Sequence, residues 1–553
     1  MERLLSEFLA ENVALEAGLV EDRGGENADP LITGLEYDSR KVKPGNIFFA
    51  LPGLHLDGHR FIPAAIDNGA VAVVHQEPGD LRSLDLRSLD LRSLDLRTLD
   101  FQSLEEYRAR IRYLRVRDSR FAMSPLAAAF YGYPSQKLIL VGVTGTEGKS
   151  TTVCLIHQLL VLAGKKAGFI STVQYNDGNT EIWNPEHQTT PEAPTLHRQL
   201  AEMAANHAEY AVVEASSHGL SRRTNRLGDA AFDVAVMTNV RHEHLEFHGS
   251  WEQYRDDKAN LFRALDRFDH TKAGGIVSPS FGVANADDPS AAFFAAAAKH
   301  PTYTFSARGN AADLSLRSME SGSGGNRYEA LIRETGETVA IQDRLPGAFN
   351  AGNMLACLLV VSKLLSIPVR DLVPLTERLR PVRGRMTAIK RGQPFDVFVD
   401  FAHTPSSFEA IFPPLREGLN KTGGRLISLF GSAGERDTKK RPEQGRIAGL
   451  WSDIVILADE DPRGEVPMDI LEEIARGCEG NPKLRRNENL FLVPDRKEAI
   501  RKAFSLARPG DLALLLGKGH ENSIIYADKT MAYDEIAEAE KALAEMGRPG
   551  QDS

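Results

Sequence analysis

A Gly-rich loop stands between an apolar strand and a helix in the first third of the chain. The run KLILVGVTGTEGKSTTVCLIHQLLVLAG reads as a buried strand, a turn and a helix, and GTEGKS occupies residues 145–150. In this context, backbone N–H groups and the helix N-terminus can face phosphate oxygens. The lysine and serine that end the loop can reach the β/γ-phosphates and a magnesium ion. The loop therefore predicts a nucleotide-binding α/β domain rather than an ordinary strand-to-helix turn.

The segments after this loop repeat the pattern of a strand followed by a polar loop. The apolar runs AVVEAS, DVAVMTN and GGIVSPS come first, and DVFVDFAH, RLISLFG, DIVILADEDP and DLALLLGKG follow beyond PVRGRM. Apolar strands that alternate with helical stretches are typical of a mostly parallel sheet covered on both faces. Ligands collect at the carboxyl ends of such strands. We therefore expect the chemistry in the loops that follow the strands.

Length and charge limit what the whole chain can be. A chain of 553 residues is too long for one hydrophobic core, which predicts several domains. The net charge of -10 argues against nucleic acid as a partner, because phosphate backbones attract basic surfaces. No apolar run is long enough to cross a bilayer and the opening is acidic, so we expect a cytoplasmic protein without membrane insertion. The three cysteines are scattered singly and indicate neither disulfides nor a Cys-based metal site.

Residues 80–104 have a strict five-residue period, DLRSL, DLRSL, DLRSL, DLRTL, DFQSL. Five matches neither the period of a helix nor that of a strand, so neither element could bury these leucines consistently. The pattern is similar to pentapeptide repeats, but five units make little more than one coil and repeat folds need several. We predict a surface insertion without a catalytic role.

Three motifs downstream of the Gly-rich loop resemble consecutive motifs of the Mur ligase central domain: EASSHGL, TNVRHEHLEFHGS and YRDDKANLF. The resemblance implies an α/β protein with the three-domain Mur ligase architecture, in which a central P-loop-type ATPase domain precedes a Rossmann-like C-terminal domain. The implied bounds are 1–136 for a UDP-binding domain that contains the repeat, 137–381 for the ATP-binding ligase domain and 382–553 for an amino-acid-binding domain.

The resemblance implies ATP and Mg²⁺ as cofactors. The residues that match the family's ATP contacts are Gly145, Thr146, Glu147, Gly148, Lys149, Ser150, Thr151, Asn350, Asn353, Arg385, Asp400 and His403. The implied metal ligands are Ser150, Glu214, His244 and Lys258, and Lys149, Glu214, His244 and Lys258 are the implied catalytic residues. Lys258 is expected to be carbamylated to N6-carboxylysine, which turns a cation into an anionic oxygen ligand.

The beginning of the chain resembles the members of this family that add the third residue of a peptide. YDSRKVKPGNIFFALPG is similar to their UDP-binding domain, and HQTTPEAP to the loop that holds the muramoyl-dipeptide. The implied substrate is UDP-N-acetylmuramoyl-L-alanyl-D-glutamate. The residues implied to bind it are Ser39, Thr189, Thr190, Ser216, His218 and Arg226.

Three loops near the end of the chain resemble the acceptor pocket of these ligases: FGSAGERDTKKRP, EDPRGE and GKGHE. They supply Arg436, Asp461, Arg463, Gly517 and Glu521. An arginine that holds a distal carboxylate with two hydrogen bonds favours meso-diaminopimelate as the acceptor. Asp461 replaces the usual Asn, and its carboxylate could instead favour the free amine of lysine or ornithine. Diaminopimelate is the preferred prediction, and the other two acceptors stay open.

Together these features imply an ATP-dependent, peptide-bond-forming ligase of peptidoglycan synthesis. ATP would phosphorylate the γ-carboxylate of D-glutamate, and the acceptor amine would then attack the acyl phosphate. Two alternatives stay open. A folylpolyglutamate-type ligase is disfavoured by the N-terminal domain, and a catalytically silent homologue is suggested by Glu147 and by residues 242–243, where the family has Asn and Arg-Asp. The sequence does not give the oligomeric state, and a monomer is expected.

Overall fold

The computed structural model of the chain contains three large sheets, which follow one another along the sequence. The structure describes residues 1–23, 29–53, 57–76, 111–184, 188–241, 245–272, 274–322 and 325–546. The predicted insertion at 80–104 and the predicted metal ligand His244 lie outside the described residues.

The first sheet has five strands, of which four are parallel. In spatial order the strands are Leu19–Arg23, Arg112–Val116, Ala72–His75, Asn46–Phe49 and Gly34–Glu36, and a separate pair joins Arg3–Leu4 to Leu31–Ile32. The α-helices are Leu5–Phe8, Glu11–Glu16, Ile62–Asp67 and Ser119–Phe130, with 3₁₀ turns at Ser39–Lys41 and Gly58–Phe61. Asp118 caps the longest helix, because its carboxylate accepts from the backbone N–H groups of Arg120 and Phe121.

The central sheet has eleven strands. In spatial order they are Glu181–Trp183, Gln174–Asn176, Ala167–Ile170, Tyr210–Glu214, Ile139–Thr144, Val234–Met237, Phe281–Asn285, Thr302–Ser306, Leu314–Gly322, Gly325–Ile332 and Thr338–Asp343. The strands from Ala167–Ile170 to Leu314–Gly322 in this order are parallel, and antiparallel hairpins extend both edges. This arrangement confirms the predicted α/β class.

Helices cover both faces of the central sheet. The α-helices are Lys149–Leu162, Ala193–Ala205, Ser217–Leu220, Leu245–His248, Trp251–Ala264, Ala291–Ala295, Asn350–Leu365 and Val369–Leu372, with 3₁₀ turns at Pro134–Gln136 and Val373–Arg378. Successive side chains of the strand Ile139–Thr144 point to opposite faces of the sheet. Val141 therefore belongs to one hydrophobic core and Leu140 to the other. A strand buried on both sides explains the uninterrupted apolar run before the Gly-rich loop.

The prediction of a strand at GGIVSPS is wrong. Gly274 and Gly275 form a turn with φ values of 93° and 78°, and Ile276 and Val277 are exposed. The strand begins only after this segment, at Phe281–Asn285. Two successive glycines in the left-handed region break the extended backbone that an apolar run alone would suggest.

The third sheet has six strands, and all but the first are parallel. In spatial order the strands are Thr387–Ala388, Asp396–Asp400, Leu512–Leu516, Leu426–Phe430, Ile454–Leu457 and Leu490–Leu492, and a separate hairpin joins Ser523–Ile525 to Thr530–Ala532. The α-helices are Pro405–Thr422, Lys440–Trp451, Pro467–Cys478, Arg496–Leu506 and Glu535–Met546. The first three pack on one face and the last two on the other.

We propose that each large sheet marks one domain, with the bounds 1–136, 137–381 and 382–553. Within the described part of the chain, no single helix has the length and apolar composition to cross a membrane. Asn350–Leu365 and Val369–Arg378, which meet at a sharp bend, satisfy these two criteria only as a pair.

Candidate functional site

A cavity of about 850 Å³ lies between the carboxyl ends of the central and third sheets. Its walls include the Gly-rich loop, the loop after Asp396–Asp400 and the loops after Leu426–Phe430 and Ile454–Leu457. The predicted site residues that line it are Thr146, Glu147, Gly148, Lys149, Ser150, Thr151, Thr189, Glu214, Asn353, Arg385, Asp400, His403, Arg436, Asp461, Arg463 and Glu521. The structure thus brings residues from two sheets to one space, where ligands of parallel sheets bind.

The backbone of the Gly-rich loop requires glycine at two positions. Gly145 has φ 155°, and a Cβ atom there would lie 1.9 Å from the Thr238 hydroxyl. Gly148 has φ 81°, and a Cβ atom there would lie 2.5 Å from Oδ1 of Asn353. The two glycines let neighbouring polar side chains approach the loop backbone closely.

Polar residues after the strand Val234–Met237 fix the middle of the loop. The Thr238 hydroxyl and the Asn239 side-chain amide both donate to the carbonyl oxygen of Glu147, at 2.6 and 3.1 Å. Oδ1 of Asn239 accepts from the backbone N–H of Glu147 at 2.9 Å. These hydrogen bonds fix the loop backbone at Glu147.

Lys149 and Ser150 lie at the start of the helix Lys149–Leu162. The ammonium of Lys149 donates to the carbonyl oxygen of Thr146 at 2.8 Å. The hydroxyl of Ser150 accepts from the guanidinium of Arg385 at 3.0 Å. Arg385 precedes the third sheet in sequence, so this hydrogen bond joins the two walls of the cavity. The N-terminus of a helix with two cationic side chains beside it favours bound phosphate.

Asn350 and Asn353 form a chain of hydrogen bonds behind the loop. Oδ1 of Asn353 accepts from the Thr152 hydroxyl at 3.2 Å, and its amide donates to Oδ1 of Asn350 at 2.9 Å. The amide of Asn350 donates to the carbonyl oxygen of Pro346 at 2.8 Å. Asn353 lines the cavity and Asn350 does not, so Asn350 orients its neighbour from behind.

Asp400 ends the strand Asp396–Asp400, and His403 lies in the turn that follows it. The backbone N–H groups of Met386 and Ala402 each donate to the Asp400 carboxylate at 2.7 Å. Burial nevertheless raises the pKa of Asp400 above its usual value, although Arg385 opposes this effect. The ring of His403 makes a 2.8 Å contact through Nδ1 with the carbonyl oxygen of Phe401.

Glu214 and Lys258 are buried beside the Gly-rich loop. The backbone N–H and the hydroxyl of Thr172 donate to Oε2 of Glu214 at 2.8 and 2.9 Å. The ammonium of Lys258 donates to the carbonyl oxygen of Gly145 at 2.7 Å and lies 4.5 Å from the ring centre of Tyr254. Lys258 therefore contacts the backbone of the loop at Gly145 and does not line the cavity.

Two oxygen donors beside the Gly-rich loop suit a magnesium ion. Glu214 and Ser150 both line the cavity, and carboxylate and hydroxyl oxygens are ligands that Mg²⁺ accepts. Among the described residues, no three His, Cys, Asp or Glu side chains come close enough to hold a metal ion. His244 lies outside them. Ser150 and Glu214 are thus the two predicted ligands whose donor atoms fit a magnesium ion.

Thr190 and Arg226 fasten the predicted dipeptide loop to the central sheet. The hydroxyl of Thr190 donates to the carbonyl oxygen of Glu214 at 2.8 Å and accepts from the backbone N–H of Ser216 at 2.9 Å. Arg226 pairs with Glu192 at 2.8 Å and donates to the carbonyl oxygen of Thr190 at 2.9 Å. Thr189 is the member of this loop that lines the cavity.

The other residues predicted for the same substrate lie away from the cavity. Ser216 accepts from the backbone N–H of Gly219 and caps the helix Ser217–Leu220. The ring centre of His218 lies 4.1 Å from that of Phe247. Ser39 begins the 3₁₀ turn Ser39–Lys41, which lies between two strands of the first sheet. The predicted residues that do not line the cavity are Ser39, Gly145, Thr190, Ser216, His218, Arg226, Lys258, Asn350 and Gly517.

A buried lysine joins the two carboxylates of the predicted acceptor pocket. Lys518 donates to Oδ1 of Asp461 at 2.9 Å and to Oε2 of Glu521 at 2.5 Å, and the backbone N–H of Ile525 donates to the same Asp461 oxygen at 3.0 Å. Burial lowers the pKa of Lys518, but the carboxylates of Glu521 and Asp461 outweigh burial and raise it above its usual value. Lys518 was not predicted, although it follows the strand Leu512–Leu516 in the motif GKGHE.

The two arginines of this pocket differ in their surroundings. Arg436 is exposed at the cavity wall. Arg463 is partly buried, and its backbone has a φ of 54°, which is uncommon for a residue other than glycine. Its Nε atom is buried without a hydrogen-bond partner in the described residues. A desolvated guanidinium N–H without an acceptor favours an anionic group of a ligand.

Several cavity residues were not predicted from the sequence, namely Trp183, Asn239, Arg241, Asp287, Ser406 and Glu460. Asn239 and Asp287 follow the strands Val234–Met237 and Phe281–Asn285, so the rule that polar loops follow strands could have identified them. Glu460 precedes Asp461 in EDPRGE and could have been found in the same way.

Matches to known proteins agree with this architecture. The family models described as Mur ligase family, catalytic domain; Mur ligase middle domain; and Mur ligase, glutamate ligase domain match residues 31–131, 143–361 and 384–519. A UDP-N-acetylmuramyl-tripeptide synthetase of Treponema denticola is 49% identical over 94% of each chain. A UDP-N-acetylmuramoyl-L-alanyl-D-glutamate--2,6-diaminopimelate ligase of Geobacillus thermodenitrificans is 34% identical over 95% of this chain and 96% of its own.

Solved structures share this fold over different fractions of the chain. A UDP-N-acetylmuramoyl-L-alanyl-D-glutamate--2,6-diaminopimelate ligase has a TM-score of 0.56 at 26% identity, over 94% of this chain and 96% of its own. A folylpolyglutamate synthase of Mycobacterium tuberculosis, with a TM-score of 0.56, is 16% identical and covers 77% of this chain and 95% of its own, which shows a shared fold alone. The family matches extend over all three sheets, and the chain therefore belongs to the Mur ligase family.

Proposed function

We propose that this chain is an ATP-dependent ligase that adds a diamino acid to UDP-N-acetylmuramoyl-L-alanyl-D-glutamate in peptidoglycan synthesis. The observation that carries the proposal is the cavity in which the Gly-rich loop faces Arg436, Asp461, Arg463 and Glu521. A ligase needs the transferable phosphate and the acceptor amine within one space, because the activated acyl group must meet the amine before water does. The names of the two relatives support the same reaction.

The nucleotide half of the cavity is proposed to bind ATP. The loop residues from Gly145 to Thr151 would hold the phosphates, and Asn350, Asn353, Arg385, Asp400 and His403 would complete the site. Ser150, Glu214, His244 and the carbamate of Lys258 are the proposed ligands of Mg²⁺, which would neutralise charge on the phosphates when bound. Lys149 would position the γ-phosphate from the helix N-terminus.

The reaction proceeds in two steps on this geometry. An oxygen of the D-glutamate γ-carboxylate attacks the γ-phosphorus, and ADP leaves with the electrons of the broken bond. The acceptor amine then attacks the acyl carbon, loses a proton and expels inorganic phosphate, which leaves an amide. Ser39, Thr189, Thr190, Ser216, His218 and Arg226 are the residues proposed to hold or position the UDP-linked substrate.

The acceptor that we propose is meso-diaminopimelate. Among the residues that the structure describes, none accepts a hydrogen bond from the buried Nε of Arg463, and a distal carboxylate would supply an acceptor. The carboxylate of Asp461 favours lysine or ornithine as the second candidate. In a competition assay, Arg463→Ala should erase a preference for diaminopimelate, whereas Asp461→Asn should shift a preference for lysine or ornithine towards diaminopimelate. If neither change alters the ranking of the three acceptors, Arg463 and Asp461 do not choose the acceptor.

Phosphate release by the purified protein tests the proposed function. Release should require both the UDP-muramoyl-dipeptide and a diamino acid, and mass spectrometry should find the tripeptide product. Release with a folate and glutamate instead would identify the folylpolyglutamate reaction, and no release under any condition would indicate a silent homologue.

We also propose that the enzyme acts in the cytoplasm, because ATP and UDP-linked sugars are cytoplasmic compounds. We propose further that it is a monomer, and light scattering would measure its mass in solution.

A further inference from the structure

Glu192 is a buried carboxylate at the start of the helix Ala193–Ala205. Only 4% of the residue is exposed. It occupies the N-cap position of that helix, yet its side chain makes no capping hydrogen bond. A side-chain oxygen at this position commonly accepts from the first backbone N–H groups of a helix. Burial of a carboxylate costs free energy unless a partner matches its charge, so the contacts that Glu192 makes instead indicate its role.

Two arginines from different parts of the fold face this carboxylate. Nη2 of Arg226, in the central part of the chain, lies 2.8 Å from Oε1 of Glu192. Nη1 of Arg120 lies 3.5 Å from the same oxygen. Arg120 belongs to the helix Ser119–Phe130, which packs in the core of the first sheet. Glu192 therefore connects this helix to the segment that carries Arg226.

The segment around Arg226 is attached to the same helix at two other points. The side-chain amide of Asn225 donates to the carbonyl oxygen of Phe121 at 3.1 Å. The backbone N–H of Asp229 donates to the hydroxyl of Ser124, also at 3.1 Å. Arg226 thus lies where the first and central sheets meet. A substrate whose UDP group binds at the first sheet, and whose carboxylate reacts beside the Gly-rich loop, must cross this junction.

The contacts of Arg226 leave one edge of its guanidinium for a ligand. Nη1 donates to the carbonyl oxygen of Thr190 at 2.9 Å, and Nη2 pairs with Glu192. A guanidinium is planar, so two contacts on different nitrogens fix its orientation. Its Nε atom is buried, and none of the described residues accepts a hydrogen bond from it. A buried N–H without an acceptor suits an anionic group of a ligand.

We propose that Glu192 is a positioning residue that orients Arg226 towards a carboxylate of the UDP-linked substrate. This inference rests on the proposed function, in which Arg226 holds or positions that substrate. Glu192 itself does not touch the substrate and acts through Arg226. Without its carboxylate, the carbonyl oxygen of Thr190 is the remaining contact that restrains the guanidinium among those described above. The guanidinium could then turn about that one hydrogen bond, and its Nε would no longer keep one direction.

Glu192→Gln tests this assignment, because it keeps the size of the side chain and removes its charge. The KM of the UDP-linked substrate should rise at least about tenfold, since a small displacement of a binding group costs a large factor. The kcat and the KM values of ATP and of the diamino acid should stay within about twofold, as for the loss of one substrate's contact. Glu202→Gln is the matched control. Glu202 lies on the same helix, is exposed and pairs with Arg198 at 2.6 Å, and its loss should change none of these values.

A double-mutant cycle separates positioning from structural damage. Glu192→Gln should also lower the melting temperature, because it leaves the buried charge of Arg226 without its partner. Stability alone therefore does not decide the question. In an Arg226→Gln background, Glu192→Gln should raise the KM of the UDP-linked substrate by less than about twofold, because the residue through which it acts is already lost. A full effect of Glu192→Gln without Arg226 would overturn the inference.

The outcomes distinguish the inference from the proposed function. If the wild type ligates no diamino acid to the UDP-linked substrate, the proposed function fails, and the inference fails with it. If the wild type ligates and Glu192→Gln keeps the wild-type KM, the inference alone is overturned. Should Glu192→Gln fail to fold, Glu192→Asp replaces it. This carboxylate keeps its charge but ends one carbon earlier, so the KM should rise by roughly threefold or more, and an unchanged KM would refute the assignment.

Discussion

The two glycines at the ends of the helix Lys149–Leu162 form a matched pair for a stability experiment. Gly148 precedes the helix with φ 81°, and Gly164 follows it with φ 82°. Alanine at either position must adopt the left-handed conformation, which costs roughly 1–2 kcal/mol. The surroundings differ, because a Cβ atom at Gly148 would lie 2.5 Å from Oδ1 of Asn353, whereas nothing lies within 4 Å of a Cβ atom at Gly164.

Gly148→Ala therefore adds a collision to the backbone strain. Asn353 must move, and its Oδ1 accepts the hydroxyl of Thr152 at 3.2 Å in a buried site. A buried hydroxyl that loses its partner costs about 1–3 kcal/mol. The expected loss in the free energy of unfolding is about 2–5 kcal/mol for Gly148→Ala and about 1–2 kcal/mol for Gly164→Ala.

Urea unfolding and steady-state kinetics measure the two effects separately. Gly148→Ala should raise the KM of ATP at least about tenfold, which corresponds to about 1.4 kcal/mol of binding, because the new methyl group distorts the loop that lines the cavity. Gly164→Ala should leave the KM of ATP unchanged. Equal losses of stability in the two variants, or an unchanged KM of ATP in Gly148→Ala, would show that the contact between Gly148 and Asn353 does not shape this loop.

Three further changes test other parts of the chain. Lys258→Ala should nearly abolish ligation and recover partly with short-chain carboxylic acids, which supply the anionic oxygens of the lost carbamate; full activity without them contradicts the assignment. Burial lowers the pKa of His197 from 6.5 to about 3, so the stability gained from the neutral ring is present above pH 6.5 and lost below it. Between pH 8 and 5, the wild type should lose about 2 kcal/mol more of its free energy of unfolding in urea than His197→Leu loses. Equal pH slopes of the two proteins would contradict this. Deletion of residues 80–99 should leave activity and melting temperature nearly unchanged, and a large loss of soluble protein would show that the repeat packs on the first sheet.

The sequence was most informative where one local pattern determines both backbone and chemistry. The strand, Gly-rich loop and helix around Lys149 are recognisable because the glycines, the apolar run and the helix start lie within one short segment. The family resemblance implied Asp400 and Asp461, which lie at the end of one parallel strand and beyond the end of another. The interpretation of apolar runs as strands located those two strands. It failed at GGIVSPS, where apolar residues beside two glycines form an exposed turn, because hydropathy does not report the φ values that those glycines adopt.

Contacts between distant segments could not be predicted from the sequence. Arg385 donates to Ser150 across 235 residues of chain, and Lys518 pairs with Asp461 across 57. Both hydrogen bonds depend on how two strand ends meet at the cavity, which periodicity does not determine. The consequence is largest for Asp461, because the sequence does not reveal that the ammonium of Lys518 lies against its carboxylate.

Glu147 shows how such a contact changes the interpretation of a departure from the family pattern. Glu147 is one of the departures that suggested a silent homologue, and a carboxylate in a phosphate loop would repel the anionic groups that the loop is proposed to hold. In the structure, Oε1 of Glu147 instead accepts the hydroxyl of Ser406 at 3.2 Å. Ser406 belongs to the helix Pro405–Thr422 of the third sheet, so the side chain reaches across the cavity to the opposite wall. The departure is therefore compatible with an active enzyme, because the carboxylate joins the two walls that ligation must bring together.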